Sequence, residues 1–151
     1  MNQSNPDDPH RRPAIGVGVV VLRRATSGPE VLLILKGKPP RRGQWSIPGG
    51  KQEWGEALQE TAHREVMEET GVTISNLVLV DVIDGLFKDD TGSLAQHFTL
   101  VDYRATWVSG EVRAGDDAAD VLWVPLTDLE RYGLWSETLR VIQTAVASHF
   151  A

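Results

Sequence analysis

Residues 50–72 read GKQEWGEALQETAHREVMEETGV. Lys51 and Arg64 are the only lysine or arginine residues in this stretch, against six glutamates: Glu53, Glu56, Glu60, Glu65, Glu68 and Glu69. Such a local excess of negative charge would strain a fold unless cations offset it. The stretch therefore predicts a divalent-cation site, with Mg²⁺ as the first candidate.

The second half of the stretch predicts a helix over residues 56–70. It has strong helix formers and no interior glycine or proline, and Gly71 suits a left-handed cap. Because a helix advances about 100° per residue, Glu65 and Glu69 lie roughly 40° apart, with Glu68 about 60° to the other side of Glu65. The three carboxylates are expected to share one face in a cleft. A solvated acidic helix is the alternative.

The residues around this face favour a site over a solvated helix. A glycine pair, 49–50, precedes the helix, and Arg64 lies among the acids. Arg64 can pair with Glu60 and Glu68, and its rigid guanidinium can hold a carboxylate in one orientation for a metal. A structural ion pair explains Arg64 by itself, and an ordinary turn explains the glycines. Together these features favour the metal site.

The composition fits a single domain in a reducing compartment. The chain has 151 residues, enough for one core, and it has no cysteine, which excludes disulfides, a thiolate zinc site and a cysteine nucleophile. Residues 1–12 are polar and rich in proline, so they are expected to be a disordered lead-in. Residues 13–151 are expected to form one domain.

Charge and hydropathy exclude two classes of partner. The net charge of −6 argues against a surface for a nucleic-acid polymer, which needs clustered Lys and Arg. No run approaches the roughly 20 apolar residues of a membrane span. We therefore expect a cytoplasmic protein that handles a small anionic ligand through bound metal.

Apolar, β-branched runs predict the sheet. Residues 15–24 and 30–36 predict a strand pair, 77–83 and 96–108 a hairpin with a long loop, and 121–125 a short strand. Ser136 is expected to cap a final helix over residues 137–150. This order of elements predicts an α+β domain, with a mixed sheet and helices packed on its faces.

The spacing of the acidic stretch resembles the signature of the Nudix hydrolases. The pattern is Gly, five residues, Glu, seven residues, Arg-Glu, apolar, any, Glu-Glu, any, Gly, apolar. It is matched without exception by Gly50, Glu56, Arg64, Glu65, Val66, Glu68, Glu69, Gly71 and Val72. The resemblance implies an α/β/α sandwich with a mixed sheet. It also implies hydrolysis of a nucleoside diphosphate linked to another group.

The resemblance also implies roles for the motif residues. Mg²⁺ or Mn²⁺ is implied to bind three helix carboxylates and a backbone carbonyl of the glycine pair: Glu65, Glu68, Glu69 and Gly49 or Gly50. Glu56 and Arg64 are implied to hold these ligands in place. Hard cations prefer such oxygen ligands, neutralise pyrophosphate charge and lower the pKa of a bound water.

The general base is implied to be Glu65 or a carboxylate from a loop outside the motif. Asp116, Asp117 and Asp120 are the loop candidates, and we assign Asp117 to catalysis first. An ordinary acidic turn is the alternative for all three. The expected catalytic set is therefore Glu56, Arg64, Glu65, Glu68 and Asp117.

A wider resemblance, over residues 14–130, is to the small bacterial Nudix group labelled ADP-ribose pyrophosphatase. It is carried by residues 43–50 (GQWSIPGG), 97–103 (HFTLVDY), 115–118 (GDDA) and 123–126 (WVPL). This resemblance implies cleavage of ADP-ribose to AMP and ribose 5-phosphate. Many ADP-ribose-cleaving relatives have a proline beyond the motif, where this chain has residues 86–89 (LFKD).

Five residues are candidates for binding the substrate: Arg41, Arg42, Trp45, Phe87 and His97. The arginines lie in a proline-braced loop and can meet phosphates or ribose, and the other three can stack on a base. A solvated basic loop and core aromatic residues are the alternatives. Trp107, Trp123 and Trp135 are assigned to packing or to the surface of a homodimer, a common state in the family.

Two rival functions stay open. One is hydrolysis of oxidised nucleoside triphosphates to monophosphate and pyrophosphate. The other is a non-catalytic Nudix-fold module that senses nucleotides. Such modules usually lose motif carboxylates, and this chain keeps them all.

Overall fold

The computed structural model describes residues 11–150. Most of the predicted lead-in lies outside the described residues, and only Arg11 and Arg12 of it are described, outside any helix or strand. The elements, in chain order, are β1 (Ala14–Ala25), β2 (Gly28–Lys36), β3 (Trp45–Ser46), β4 (Gly49–Lys51), α1 (Leu58–Thr70), β5 (Thr73–Lys88), β6 (Leu94–Ser109), β7 (Ala118–Pro125), a 3₁₀ helix (Leu126–Tyr132) and α2 (Ser136–His149).

The described strands form one mixed sheet. Its main path runs β3-β2-β1-β6-β5, with β4 paired to β1 and β7 paired to β2. The β1–β6 pair is parallel and runs from Ala14 opposite Phe98 to Leu22 opposite Thr106, whereas the other pairs are antiparallel. The parallel pair places the β1 glycines directly beside the residues of β6 that face the site described below.

A helix packs on each face of the sheet, because alternate residues of the central strands point to opposite sides. On one face, Val19 and Val21 pack with Val66 of α1. On the other, Val20 and Leu22 pack with Ile142 of α2. The predicted α+β class and the α/β/α sandwich are confirmed.

Leu33 tests the face that packs on α2. It is fully buried, whereas Leu122, its partner opposite on β7, is 37% exposed. We expect Leu33→Ala to lower the free energy of unfolding by about 2–5 kcal/mol, because it opens a cavity in a packed core. Leu122→Ala should cost less than half as much. Urea titrations of the two variants check this, and equal losses would contradict the assignment of the core.

Two helix boundaries differ from the sequence prediction. Helix α1 begins at Leu58 rather than at residue 56. The Glu56 backbone N–H closes the preceding turn, and the Glu56 side chain accepts hydrogen bonds from Arg64 and Thr61. The predicted Ser136 cap is wrong: the N-cap residue of α2 is Trp135, and Ser136 is the first helical residue. Gly71 does cap α1 in the left-handed conformation, with φ 76°.

The predicted hairpin is longer than the apolar pattern suggested. Strand β5 covers sixteen residues and pairs with β6 along its length, with register shifts that break the alternation near Asn76. The turn falls at residues 89–93, within the predicted loop. None of the helices between residues 11 and 150 is long and apolar enough to cross a membrane.

Candidate active site

An ion-pair network ties the start of α1 to its acidic face. The Arg64 Nε donates to Glu56 Oε2 at 2.6 Å, and its Nη1 donates to Glu65 Oε1 at 2.7 Å and to Glu68 Oε2 at 3.2 Å. Thr61 also donates to Glu56. The Arg64 hydrogen bonds, followed by that of Thr61, lower the pKa of Glu56 to about 2. Arg64 is therefore fixed between Glu56 and the two helix carboxylates.

The loop before β7 brings a further carboxylate to this face. The Arg113 and Gly115 N–H groups donate to the carbonyls of Thr70 and Glu69, at 3.0 and 3.1 Å, and so occupy acceptors that the end of a helix leaves free. This docking sets Asp116 beside α1. Carboxylate oxygens of Glu65, Glu68 and Asp116 lie within 4.8 Å of one another.

The glycine pair shapes the space beside these acids. The Gly49 N–H donates to Glu69 Oε1 at 2.7 Å. A Cβ atom on Gly50 would overlap the carboxylate of Glu65. The absence of a side chain at Gly50 is therefore what lets Glu65 approach the backbone of β4.

Burial makes two of these carboxylates poor acids. Glu69 is 4% exposed, and burial raises its pKa to about 8 despite the hydrogen bond from Gly49. Burial also raises the pKa of Glu65, and the negative charges of Glu68 and Asp116 add to the rise. Carboxylates held together in this way repel one another until a cation joins them.

The donor set fits a hard divalent cation. Its side chains are all carboxylates, which Mg²⁺ and Mn²⁺ prefer as ligands. The oxygens of Glu65, Glu68 and Asp116 converge. The Glu65 carboxylate occupies the space that a side chain at Gly50 would fill. Glu69 is buried and is oriented separately by Gly49, and the negative charges of Glu65 and Asp116 act on it.

The neighbouring acid, Asp117, has a different partner. Its Oδ1 lies 2.7 Å from the Nζ of Lys38. Its backbone carbonyl accepts a hydrogen bond from the Gly37 N–H at 2.9 Å. Asp117 thus joins the loop after β2 to the loop before β7, while Asp116 lies with the helix carboxylates.

A cleft of about 600 Å³ opens beside the carboxylates. Its size is within the roughly 300–1,000 Å³ that small-molecule sites occupy. Glu65 and Glu69 line one part, and Lys36, Lys38 and Arg41 add positive charge. The cleft thus combines the acidic cluster with cations that an anionic substrate would meet.

Aromatic side chains line another part of the cleft. The rings of Phe87 and Trp135 lie 5.5 Å apart, and those of Phe87 and Phe98 lie 6.2 Å apart. The Arg41 guanidinium carbon lies 4.9 Å from the centre of the Trp135 ring. Arg41 Nε donates to Gln44, but its buried Nη2 has no partner among the described residues.

The other predicted substrate residues lie elsewhere. The lining of this cleft, within residues 11–150, does not include Arg42, Trp45 or His97. The Trp45 ring packs edge-on against Tyr132, at 5.4 Å, and Arg42 is exposed. His97 is half-buried opposite Leu86 on β5, next to Phe98, which does line the cleft.

Sequence reasoning missed several cleft residues, and Trp135 and Asp102 are two of them. From the sequence, Trp135 is assigned to packing or a dimer surface, and Asp102 has no role beyond a predicted strand and the resemblance over residues 97–103. Both line the cleft. A charged residue inside the apolar run of β6 was the available signal for Asp102, because central strands rarely carry one without a reason. No comparable signal marks Trp135.

Asp102 should make stability depend on pH. Burial, followed by the charge of Asp81, raises the pKa of Asp102 to about 6. Its stabilising contribution is complete below the unfolded pKa, about 3.9, and is lost as pH rises through 6. Relative to the wild type, Asp102→Asn, which stays neutral, should therefore gain about 2 kcal/mol in free energy of unfolding between pH 4 and pH 8. Urea titrations across this range measure the difference, and a constant difference would contradict it.

Comparison with known proteins identifies the family. The NUDIX domain model matches residues 12–145, which is most of the chain. An ADP-ribose pyrophosphatase from Methanocaldococcus jannaschii is 31% identical over 102 residues, covering 68% of this chain and 58% of that protein. The chain belongs to the Nudix hydrolase family, and the resemblance in its motif is confirmed.

Other relatives carry different names. The Mycobacterium tuberculosis protein MutT4 is 36% identical over 114 residues, covering 74% of this chain and 45% of that protein. An oxidized purine nucleoside triphosphate hydrolase from Danio rerio is 30% identical over 113 residues, covering 64% of this chain and 70% of that protein. The chain thus spans about half the length of MutT4 and of the archaeal relative.

Solved structures show the same fold. The NUDIX domain of Shewanella oneidensis NrtR, complexed with ADP ribose, superposes with a TM-score of 0.78 at 24% identity, covering 93% of this chain and 92% of that chain. A MutT NUDIX hydrolase from Burkholderia pseudomallei gives 0.73 at 28% identity, covering 88% and 98%.

Proposed function

We propose that the protein is a divalent-cation-dependent pyrophosphohydrolase whose substrate is a nucleoside diphosphate joined to a second group. ADP-ribose is the first candidate, with AMP and ribose 5-phosphate as products. The observation that carries this proposal is the convergence of Glu65, Glu68 and Asp116 beside a cleft with basic and aromatic walls. Hydrolysis of a phosphoanhydride needs a cation site such as these carboxylates offer, and a nucleoside suits a cleft with basic and aromatic walls.

The metal ligands in this proposal are oxygens of α1 and its neighbours. Mg²⁺ or Mn²⁺ would be held by Glu65, Glu68 and Glu69, and Asp116 and a carbonyl of the glycine pair could add further oxygen ligands. When bound, the cation neutralises pyrophosphate charge, polarises phosphorus and lowers the pKa of a water molecule. Glu56 and Arg64 act through these ligands, since Arg64 bonds Glu56, Glu65 and Glu68 at once.

A carboxylate accepts the proton of the attacking water. Glu65 and the loop acids stay the candidates, and the loop geometry favours Asp116 over Asp117. Asp116 approaches Glu65 and Glu68, whereas Asp117 is paired with Lys38. In this proposal Asp117 orients Lys38, which lines the cleft where the substrate phosphates would lie.

Arg41 is proposed to bind the substrate. Its guanidinium lies over Trp135, and its buried Nη2 lacks an acceptor among the residues described, so a ligand oxygen or ring nitrogen would satisfy it. Phe87, beside Trp135, is proposed to contact the base. Trp45, His97 and Arg42 stay predictions with no support from the lining of the cleft.

Arg41→Lys is expected to raise KM about tenfold with a small change in kcat. Lysine keeps the charge but loses the planar fork and its stacking on Trp135. Steady-state kinetics check the split between KM and kcat. Arg131→Lys, an exposed arginine on the 3₁₀ helix, is the control. An unchanged KM in Arg41→Lys would remove Arg41 from the binding site.

The substrate is tested with a panel and product analysis. The purified protein is incubated with ADP-ribose, NADH, nucleotide sugars, diadenosine polyphosphates and ordinary and oxidised nucleoside triphosphates, with and without Mg²⁺. Mg²⁺-dependent AMP and ribose 5-phosphate from ADP-ribose is the expected result. Monophosphate and pyrophosphate from oxidised triphosphates would favour the second candidate, which the Danio rerio relative supports. Tight nucleotide binding without cleavage would favour the sensor.

The cytoplasmic location and the homodimer stay predictions. Light scattering of the purified protein tests the oligomeric state directly.

A further inference from the structure

Asp102 is a buried carboxylate that the proposed chemistry does not use. It lies on β6 with 4% of its surface exposed, and it lines the cleft. Phe98 and Leu100, at alternate positions of the same strand, line the cleft as well. Asp102 therefore lies on the same wall of the cleft as the aromatic side chain of Phe98.

Within residues 11–150, no ion pair compensates this carboxylate. Arg140, whose positive charge acts on Asp102, is already paired with Asp81 at 2.9 Å and with Glu137 at 2.7 Å. A buried carboxylate without a paired cation is costly, so its presence calls for a compensating role.

The fold makes room for this carboxylate. Gly18 on β1 lies opposite Asp102 in the parallel β1–β6 pair. A Cβ atom on Gly18 would overlap Asp102 Oδ1. The Gly18 backbone favours the charged form of this carboxylate, against the effect of burial. A carboxylate accepts up to about four hydrogen bonds, so most of its capacity is left for a ligand.

We propose that Asp102 selects the nucleobase by accepting a hydrogen bond from its exocyclic amino group. Adenine and guanine carry this donor, whereas hypoxanthine has a carbonyl oxygen in place of the amino group of adenine. The aromatic neighbours Phe87, Phe98 and Trp135 favour a base over a ribose as the donor, because they offer ring faces to stack on. The inference rests on the proposed function in taking a nucleotide as the ligand.

The test compares purine nucleotides with and without an exocyclic amino group; GMP and IMP differ at that group alone. Binding of AMP, GMP and IMP, the hypoxanthine nucleotide, is measured by calorimetry without metal. The wild type should bind AMP or GMP at least about tenfold more tightly than IMP, since a site built around a hydrogen bond rejects a ligand that lacks the donor. In Asp102→Asn the ratio of these affinities should fall to about one or reverse, because the amide can donate to the hypoxanthine oxygen. Asp128→Asn, outside the cleft lining, should keep the wild-type ratio.

Other outcomes overturn the assignment. Equal binding of the three nucleotides by the wild type rejects it without any variant. An unchanged ratio in folded Asp102→Asn rejects it as well. If the variant instead loses a preference for AMP over dAMP, the donor is a ribose hydroxyl and the base assignment is wrong. These binding measurements do not depend on turnover, so they are independent of the substrate panel. If no substrate of the panel is cleaved, the proposed hydrolase activity is contradicted but the assignment of Asp102 is not.

Discussion

Glu65→Gln and Glu69→Gln are each expected to lower metal-dependent kcat by about a thousandfold or more, corresponding to roughly 4 kcal/mol of transition-state stabilisation. Each substitution removes one negative oxygen from the cluster while keeping the size of the side chain. A neutral amide is a weaker ligand for a hard cation than a carboxylate. Turnover is measured on the best substrate of the panel across a range of Mg²⁺ concentrations.

Folding should survive both substitutions. The glutamine carbonyl at position 69 can still accept the Gly49 N–H, and the change removes a carboxylate that burial already disfavours. For Glu69→Gln, the free energy of unfolding without metal should therefore be unchanged or higher. Glu60→Gln is the matched control, because Glu60 lies on the same helix but bonds the Ala57 N–H away from the cluster. Full activity in either cluster variant would contradict the assigned roles.

Gly50→Ala is expected to lower kcat about a hundredfold while the protein stays folded. The new Cβ would overlap the Glu65 carboxylate, so Glu65 must move out of the cluster. A displacement of about 1 Å in a reacting arrangement can cost a factor of this size. Kinetics and a urea titration of the same preparation separate the loss of activity from any loss of stability.

Gly28→Ala is the control for a glycine substitution. Gly28 lies in the β1–β2 turn at the far end of β2 from the cleft, and a Cβ atom there would meet nothing within 4 Å. Its φ of 124° makes alanine strained, so stability should fall while activity is kept. If Gly50→Ala keeps normal kcat, the close approach of Gly50 to Glu65 has no functional meaning.

The helix and its acidic face could be predicted because their information is local. Glu65, Glu68 and Glu69 lie within two turns of one helix, and helical periodicity alone sets their common face. The Gly71 cap has an equally local signal. The same reasoning could not decide between Asp116 and Asp117, because the choice depends on how the loop docks on the end of α1 through the N–H groups of Arg113 and Gly115.

The wall of the cleft could not be predicted, because it joins distant segments. Trp135 precedes α2, Phe87 lies one residue before the end of β5 and Arg41 lies in the loop after β2. Only the folded sheet brings them together. Apolar composition also misjudged the extent of β5, since pairing with β6 extends a strand through polar residues. Asp102 gave a signal in the sequence, but its neighbour Gly18 acquires meaning only through the register of β1 and β6.

Binding of Mn²⁺ to the nucleotide-free protein tests the central claim most directly. Calorimetric titration of the wild type should show saturable binding, and Glu60→Gln should match it. The Glu65→Gln/Glu68→Gln double variant and Asp116→Asn should each bind at least about tenfold more weakly, since each loses charged oxygens from the cluster. Wild-type affinity in the folded double variant would contradict the claim that these carboxylates hold the cation.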